Sequence, residues 1–61
     1  MPNITAKELE ALEDQLYTEQ MLVNKCHTYA GQCTDPQLRA KCEQMAARHQ
    51  DHFNRLMTHL G

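Results

Sequence analysis

The residues of this chain best suited to chemistry are one glutamate and two histidines at helical spacing. Glu19 lies in the first half of the chain, and His49 and His52 lie three residues apart in the second half. A carboxylate and two imidazoles are ligands that suit a divalent ion such as zinc or iron. The same side chains can instead satisfy each other as a hydrogen-bonded polar layer, or form a solvated layer at a dimer interface. We therefore predict Glu19, His49 and His52 as the metal ligands if an ion binds.

Three cysteines, Cys26, Cys33 and Cys42, offer a second kind of chemistry. An odd number of cysteines in a chain without a secretion signal argues against a disulfide scaffold and favours a reducing compartment. The chain also lacks the CxxC pairs that structural zinc sites use. Cys26 and Cys42 are most simply small core residues. A disulfide between them, or a copper site that adds Met45, are the alternatives.

Two helices, about residues 5–32 and 36–60, are predicted to position these residues. The sequence TAKE at the start of the first helix fits a capping box. Asp35 is the expected N-cap of the second helix, because Pro36 biases it away from helical geometry and itself fits the first helical position. A short turn joins the helices, and we expect a single helical-hairpin domain over residues 1–61.

Apolar side chains repeat with heptad spacing along both helices, which predicts amphipathic helices in a bundle. The predicted seam of the first helix comprises Leu9, Leu12, Leu16, Glu19, Val23, Cys26, Ala30 and Cys33. The predicted seam of the second comprises Leu38, Cys42, Met45, His49, His52, Leu56 and His59. Each seam is widened on one flank, by Leu22 and Tyr29 in the first helix and by Ala46, Phe53 and Leu60 in the second. A face this wide favours a multi-helix bundle over a two-stranded coiled coil.

An antiparallel hairpin brings together residues that are equally far from the turn. Glu19 then faces His49, and Cys26 faces Cys42, so the chemical residues fall in the central and turn-side layers of the core. One hairpin covers only part of each apolar face, and a chain of 61 residues buries little surface alone. The predicted fold is therefore all-α, an antiparallel helical hairpin that forms a homodimer with the architecture of a four-helix bundle.

Composition and charge exclude several classes of partner. Six Lys and Arg stand against eight Asp and Glu, which gives a net charge of −2. The chain therefore lacks the basic field that nucleic-acid binding needs. No apolar run approaches the roughly 20 residues of a membrane span, and the N-terminal residues lack the apolar core of a signal peptide. We expect no nucleic-acid partner, no membrane partner and no secretion by a signal peptide.

The sequence also disfavours an enzyme. It contains no recognisable set of nucleophile, base and orienting group and no glycine-rich loop for phosphate. A packed bundle of this size has little volume for a substrate pocket. Redox chemistry at a metal in the central layer is the one catalytic option left, and we expect a non-catalytic protein.

The chain resembles the short proteins related to spore coat protein F of endospore-forming bacteria. The most specific matches are the DPQL turn from Asp35 to Leu38 and the AxxHQxH segment from Ala46 to His52. The resemblance covers nearly the whole chain and also includes Leu12, Leu16, Glu19, Lys25, Tyr29, Ala30, Cys42, Glu43, Gln44, Met45, Ala47 and Leu56.

This resemblance implies a ferritin-like bundle, of which the short members look like one half. It implies a place in the spore coat or in the mother-cell cytoplasm that builds it, other spore coat proteins as further partners, and a structural role. A ferritin-like di-iron site needs Glu-x-x-His on the second helix of each pair. Here Ala46 and His49 stand where those glutamates would be. We therefore expect no cofactor, with a single divalent ion such as zinc or iron as the alternative.

Overall fold

The computed structural model of the chain describes residues 4–60 as a hairpin of two α-helices. Helix α1 spans Ala6–Gln32, helix α2 spans Pro36–Met57, and a 3₁₀ turn follows at Thr58–Leu60. The helices pack against each other in antiparallel orientation, and the molecule extends 47 by 14 by 10 Å. The predicted all-helical hairpin is confirmed.

The start of α1 is fixed by the expected capping box. The backbone N–H of Glu8 donates to Thr5 Oγ1 at 3.1 Å, and the backbone N–H of Thr5 donates to Glu8 Oε1 at 3.0 Å. Two of the N–H groups that a helix start leaves unpaired are therefore satisfied by side chains. The backbone N–H donation of Thr5 to the Glu8 carboxylate also lowers the pKa of Glu8 below its ordinary value.

The connection between the helices is closed by polar contacts at the start of α2. Asp35 is the N-cap of α2, as predicted, and its Oδ1 accepts a hydrogen bond from the backbone N–H of Gln37 at 2.8 Å. Pro36 occupies the first turn of the helix. Arg39 Nη2 donates to the carbonyl oxygen of Cys33 at 2.7 Å and so ties the end of α1 to α2. These bonds set the point at which the chain reverses.

The seam predicted for α1 lies against α2. Its buried residues are Glu19, Val23, Cys26 and Ala30. The other seam positions of α1 are partly buried. A strict three-four spacing of apolar residues therefore identified the packed face of this helix.

The seam predicted for α2 is wrong in part. Three seam residues are partly buried as expected, namely Cys42, His49 and Leu56. The other residues of α2 that are covered belong to the predicted flank instead. The flank residues that pack are Ala46, Phe53 and Leu60. The seam residues left exposed are Leu38, Met45, His52 and His59. Ala46 is only 2% exposed, so the flank of α2, rather than the Met45 side, lies against α1 at this level.

Within residues 4–60, neither helix combines the length and the apolar character that crossing a membrane requires. The predicted domain of residues 1–61 reaches past the described residues at both ends, since 1–3 and 61 lie outside them.

Candidate functional site

The hairpin brings Glu19, His49 and His52 into one cluster at mid-length. Glu19 projects from α1, and the two histidines project from α2 three residues apart, so both rings lie on neighbouring parts of one helix face. One ligand atom from each residue can be chosen so that all three lie within 4.8 Å of one another. The three residues predicted as ligands are therefore adjacent in space.

Glu19 is the centre of the cluster. It is 5% exposed, and it is the buried charged residue of the hairpin within residues 4–60. Its Oε2 lies 2.9 Å from Nδ1 of His49 and 3.4 Å from Nδ1 of His52. Its Oε1 accepts a hydrogen bond from Nε2 of Gln15 at 3.1 Å. Both carboxylate oxygens are thus occupied, which offsets the desolvation cost of burying the group.

The two imidazoles differ in their exposure to solvent. The ring centroids of His49 and His52 lie 5.7 Å apart with an angle of 84° between the planes, an edge-to-face arrangement. The side chain of His49 is 20% exposed, whereas that of His52 is 45% exposed. His49 therefore belongs to the packed interface, and His52 forms the outward edge of the cluster.

The cluster lowers the pKa of the Glu19 carboxyl. The largest cause is its hydrogen bond with His49, and burial opposes the shift by penalising the charged form. The charges of His49 and His52 and the hydrogen bond from Gln15 lower the pKa further. Glu19 is therefore held as a carboxylate, which is the form that binds metal ions.

A shallow groove of about 300 Å³ opens beside the cluster. Its walls are formed by Gln15, Glu19, His52, Arg55 and Leu56. Arg55 Nε donates to Asp51 Oδ2 at 3.0 Å, one turn earlier on α2. The groove gives solvent and small ligands access to the side of the cluster that the hairpin does not cover.

The cysteines lie apart from this cluster and are free thiols. Cys26 is buried, and Cys33 and Cys42 are partly buried. Across residues 4–60, none of them joins a group of three potential ligands drawn from histidine, cysteine, aspartate and glutamate. Met45, the third member of the copper alternative, is 49% exposed. The arrangement therefore supports the reading of Cys26 as a small core residue.

Sequence reasoning missed Gln15 and the groove. Gln15 stands four residues before Glu19 on α1, the spacing at which helix side chains meet, so this hydrogen bond could have been anticipated. The groove could not, because it depends on which flank of α2 packs against α1.

Comparison with known proteins gives one relative of unknown role. The uncharacterized protein YuzM of Bacillus subtilis (strain 168) is 32% identical over 57 residues, which are 93% of this chain and 70% of that protein. No protein-family model matches the chain. No solved structure matches it either. The resemblance to spore coat protein F therefore stays a prediction.

Proposed function

The chain belongs to the family of the uncharacterized protein YuzM, and we propose that it is a small, non-catalytic structural protein related to spore coat proteins, acting as a homodimer. In the proposed assembly two helical hairpins pair into a ferritin-like four-helix bundle. Its place is the spore coat or the mother-cell cytoplasm, with other coat proteins as further partners.

The observation that carries the assembly is an apolar stripe on one side of the hairpin. We call this the outer stripe, and it consists of Leu22, Tyr29, Leu38 and Met45. Leu22 and Tyr29 are one heptad apart on α1, and Leu38 and Met45 are one heptad apart on α2. Tyr29 is 62% exposed and Leu38 is 54% exposed. Large apolar side chains in this position favour burial against another protein surface.

The opposite flank of the hairpin is polar at the equivalent positions. Its residues are Glu13, Gln20, His27, Glu43 and Gln50, with Met57 as the apolar exception near the end of α2. The side that carries the outer stripe also carries Gln15 and His52, whose side chains line one groove together. This difference between the two sides supports pairing of two hairpins through the side that carries the outer stripe.

The size of the hairpin also supports pairing. A single contact between two helices buries Val23, Cys26, Ala30 and Ala46 as its apolar core. Chains this short rarely gain enough from such a core and often oligomerise.

A second copy is the partner that fits such a stripe most simply. Two-fold symmetry places the same patch on both subunits, so an apolar stripe meets an apolar stripe. Antiparallel hairpins paired in this way form a four-helix bundle. The cluster of Glu19, His49 and His52 then lies beside the interface as a polar layer, which favours one register over others.

Light scattering coupled to size exclusion tests the homodimer. We expect the full chain to have about twice its mass of 7.1 kDa. The double variant Leu38→Glu with Met45→Glu is expected to be monomeric, because four like charges would meet in an apolar interface. A monomer for the unaltered chain at every concentration would refute the assembly.

The matched control places the same two charges on the polar flank. Gln20→Glu with Gln50→Glu adds equal charge to exposed positions and should leave the dimer intact. Dissociation of this control would show that charge alone, rather than the outer stripe, decides the mass.

The proposed place in the spore coat is tested by looking for the chain in coat extracts of sporulating cells, where we expect to find it. Its restriction to vegetative cells would contradict this part of the proposal.

A further inference from the structure

We propose that Glu19, His49 and His52 form a binding site for one divalent transition-metal ion of the zinc class, with a further coordination position open to the groove. All three ligands come from one hairpin, so this site does not rest on the homodimer. It adds ion binding to a protein whose proposed role is otherwise structural.

The distances in the cluster are close to those of a metal site. Zinc binds imidazole nitrogen and carboxylate oxygen at roughly 2.0–2.2 Å, so two ligands of a tetrahedral ion lie about 3.3 Å apart. Nδ1 of His49 and Nδ1 of His52 lie 2.9 and 3.4 Å from Glu19 Oε2. One ligand atom from each of the three residues can be chosen within 4.8 Å of the others, so the atoms that would hold an ion are already adjacent.

The site is held by rigid elements and by an outer hydrogen bond. Both histidines stand within α2, before its last turn, and Glu19 stands in the middle of α1. Gln15 donates to Oε1 of Glu19, which leaves Oε2 directed at the imidazoles. Outer contacts of this kind orient metal-binding carboxylates and raise affinity.

The ligand types select the class of ion. Two imidazoles and one carboxylate suit zinc, iron and their first-row neighbours, whereas calcium and magnesium prefer oxygen ligands alone. A single carboxylate also leaves too little negative charge for two divalent ions. The site is therefore suited to one ion, in contrast to the paired irons of ferritin-like oxidases.

The groove supplies the free coordination position. His52 is the exposed edge of the cluster, and the groove reaches both it and Glu19. Three protein ligands and one open position are typical of zinc ions that hold a water molecule. Leu56 and Arg55 form the other wall, so the position is accessible without being fully solvated.

Zinc titration of the full chain tests this inference, with a chromophoric chelator as competitor. The titration uses the cysteine-free variant Cys26→Ala, Cys33→Ser, Cys42→Ser, because thiolates bind zinc independently. We expect one zinc ion per chain. Adding His52→Ala should weaken binding at least tenfold, as for loss of a direct ligand, and this exposed position leaves the fold intact.

His27→Ala and His59→Ala are the matched controls, since both histidines are exposed and lie outside the cluster. Neither should change the affinity for zinc. No stoichiometric zinc, equal losses in these controls, or equal affinity for magnesium would overturn the site. The mass measured by light scattering on the same samples separates the two proposals. A monomer that binds zinc would refute only the homodimer. A dimer that fails to bind zinc would refute only the metal site.

Discussion

Leu12→Ala and Leu56→Ala are each expected to lower the free energy of unfolding by about 2–5 kcal/mol. Both leucines are partly buried, Leu12 on α1 and Leu56 on α2. Truncation removes apolar contacts and leaves a void that two helices can close only in part. Because small domains unfold with about 5–15 kcal/mol, either change removes a large fraction of the total. Urea unfolding followed by helical circular dichroism measures the loss.

Leu38→Ala is the matched control for these truncations. Leu38 is exposed in the single hairpin, so at concentrations that dissociate the dimer its truncation should cost only about 0.5 kcal/mol or less. At higher concentration the cost should grow, because Leu38 belongs to the outer stripe. Equal stability of the chain and of both core variants would mean that the assigned faces of α1 and α2 are wrong.

Acid is expected to destabilise the hairpin through Glu19. The folded-state pKa of this carboxyl lies below its ordinary value of 4.5, chiefly because of the hydrogen bond from His49. The folded chain therefore binds fewer protons than the unfolded chain near that pH. The stability that Glu19 contributes is present above pH 4.5 and is lost as the pH falls through the lower folded-state value. Unfolding midpoints measured across this range follow the loss.

Glu19→Gln separates this contribution from the remaining acidic groups. A glutamine keeps a hydrogen-bonding side chain and removes the titration, so the midpoint should fall less steeply with acid. Glu8→Gln is the comparison variant, because the pKa of Glu8 is also lowered, by the capping box at the start of α1. It shows how much of the acid loss comes from that carboxyl rather than from Glu19. Identical acid profiles for the chain and for Glu19→Gln would show that the buried carboxylate has no part in acid unfolding.

The sequence was informative for α1 because its signals agree with one another. The capping box marks the start, and a single three-four series, apolar except for Glu19, runs from Leu9 to Cys33. Only one face satisfies that series, and it is the face that packs against α2. Glu19 falls on it, so the burial of a carboxylate could be predicted from spacing alone.

The packed face of α2 could not be chosen from the sequence. Two three-four series run along this helix and share Cys42, His49 and Leu56. One continues through Met45 and the other through Ala46, and both are rich in apolar residues. The choice depends on how the two helices pack in three dimensions, where Ala46 is buried and Met45 is 49% exposed.

The contact between Glu19 and His49 could be predicted from the sequence, whereas the exposed position of His52 could not. His49 belongs to both series, so its contact with Glu19 did not depend on the choice between them. His52 belongs to the series that faces outward, which explains why it reaches Glu19 at 3.4 Å from the exposed edge. This half-open geometry, with a groove beside it, was not visible in the spacing.

A crystal structure of the full chain grown with zinc, with anomalous data at the zinc edge, tests the central claim most directly. The claim is that the helices reverse at Pro36, bury Glu19 against His49, and pair with a second copy through the outer stripe. We predict two hairpins in a four-helix bundle with an anomalous peak beside Glu19 and His52 in each. An unbroken helical rod, or Glu19 and His49 both directed into solvent, would contradict it.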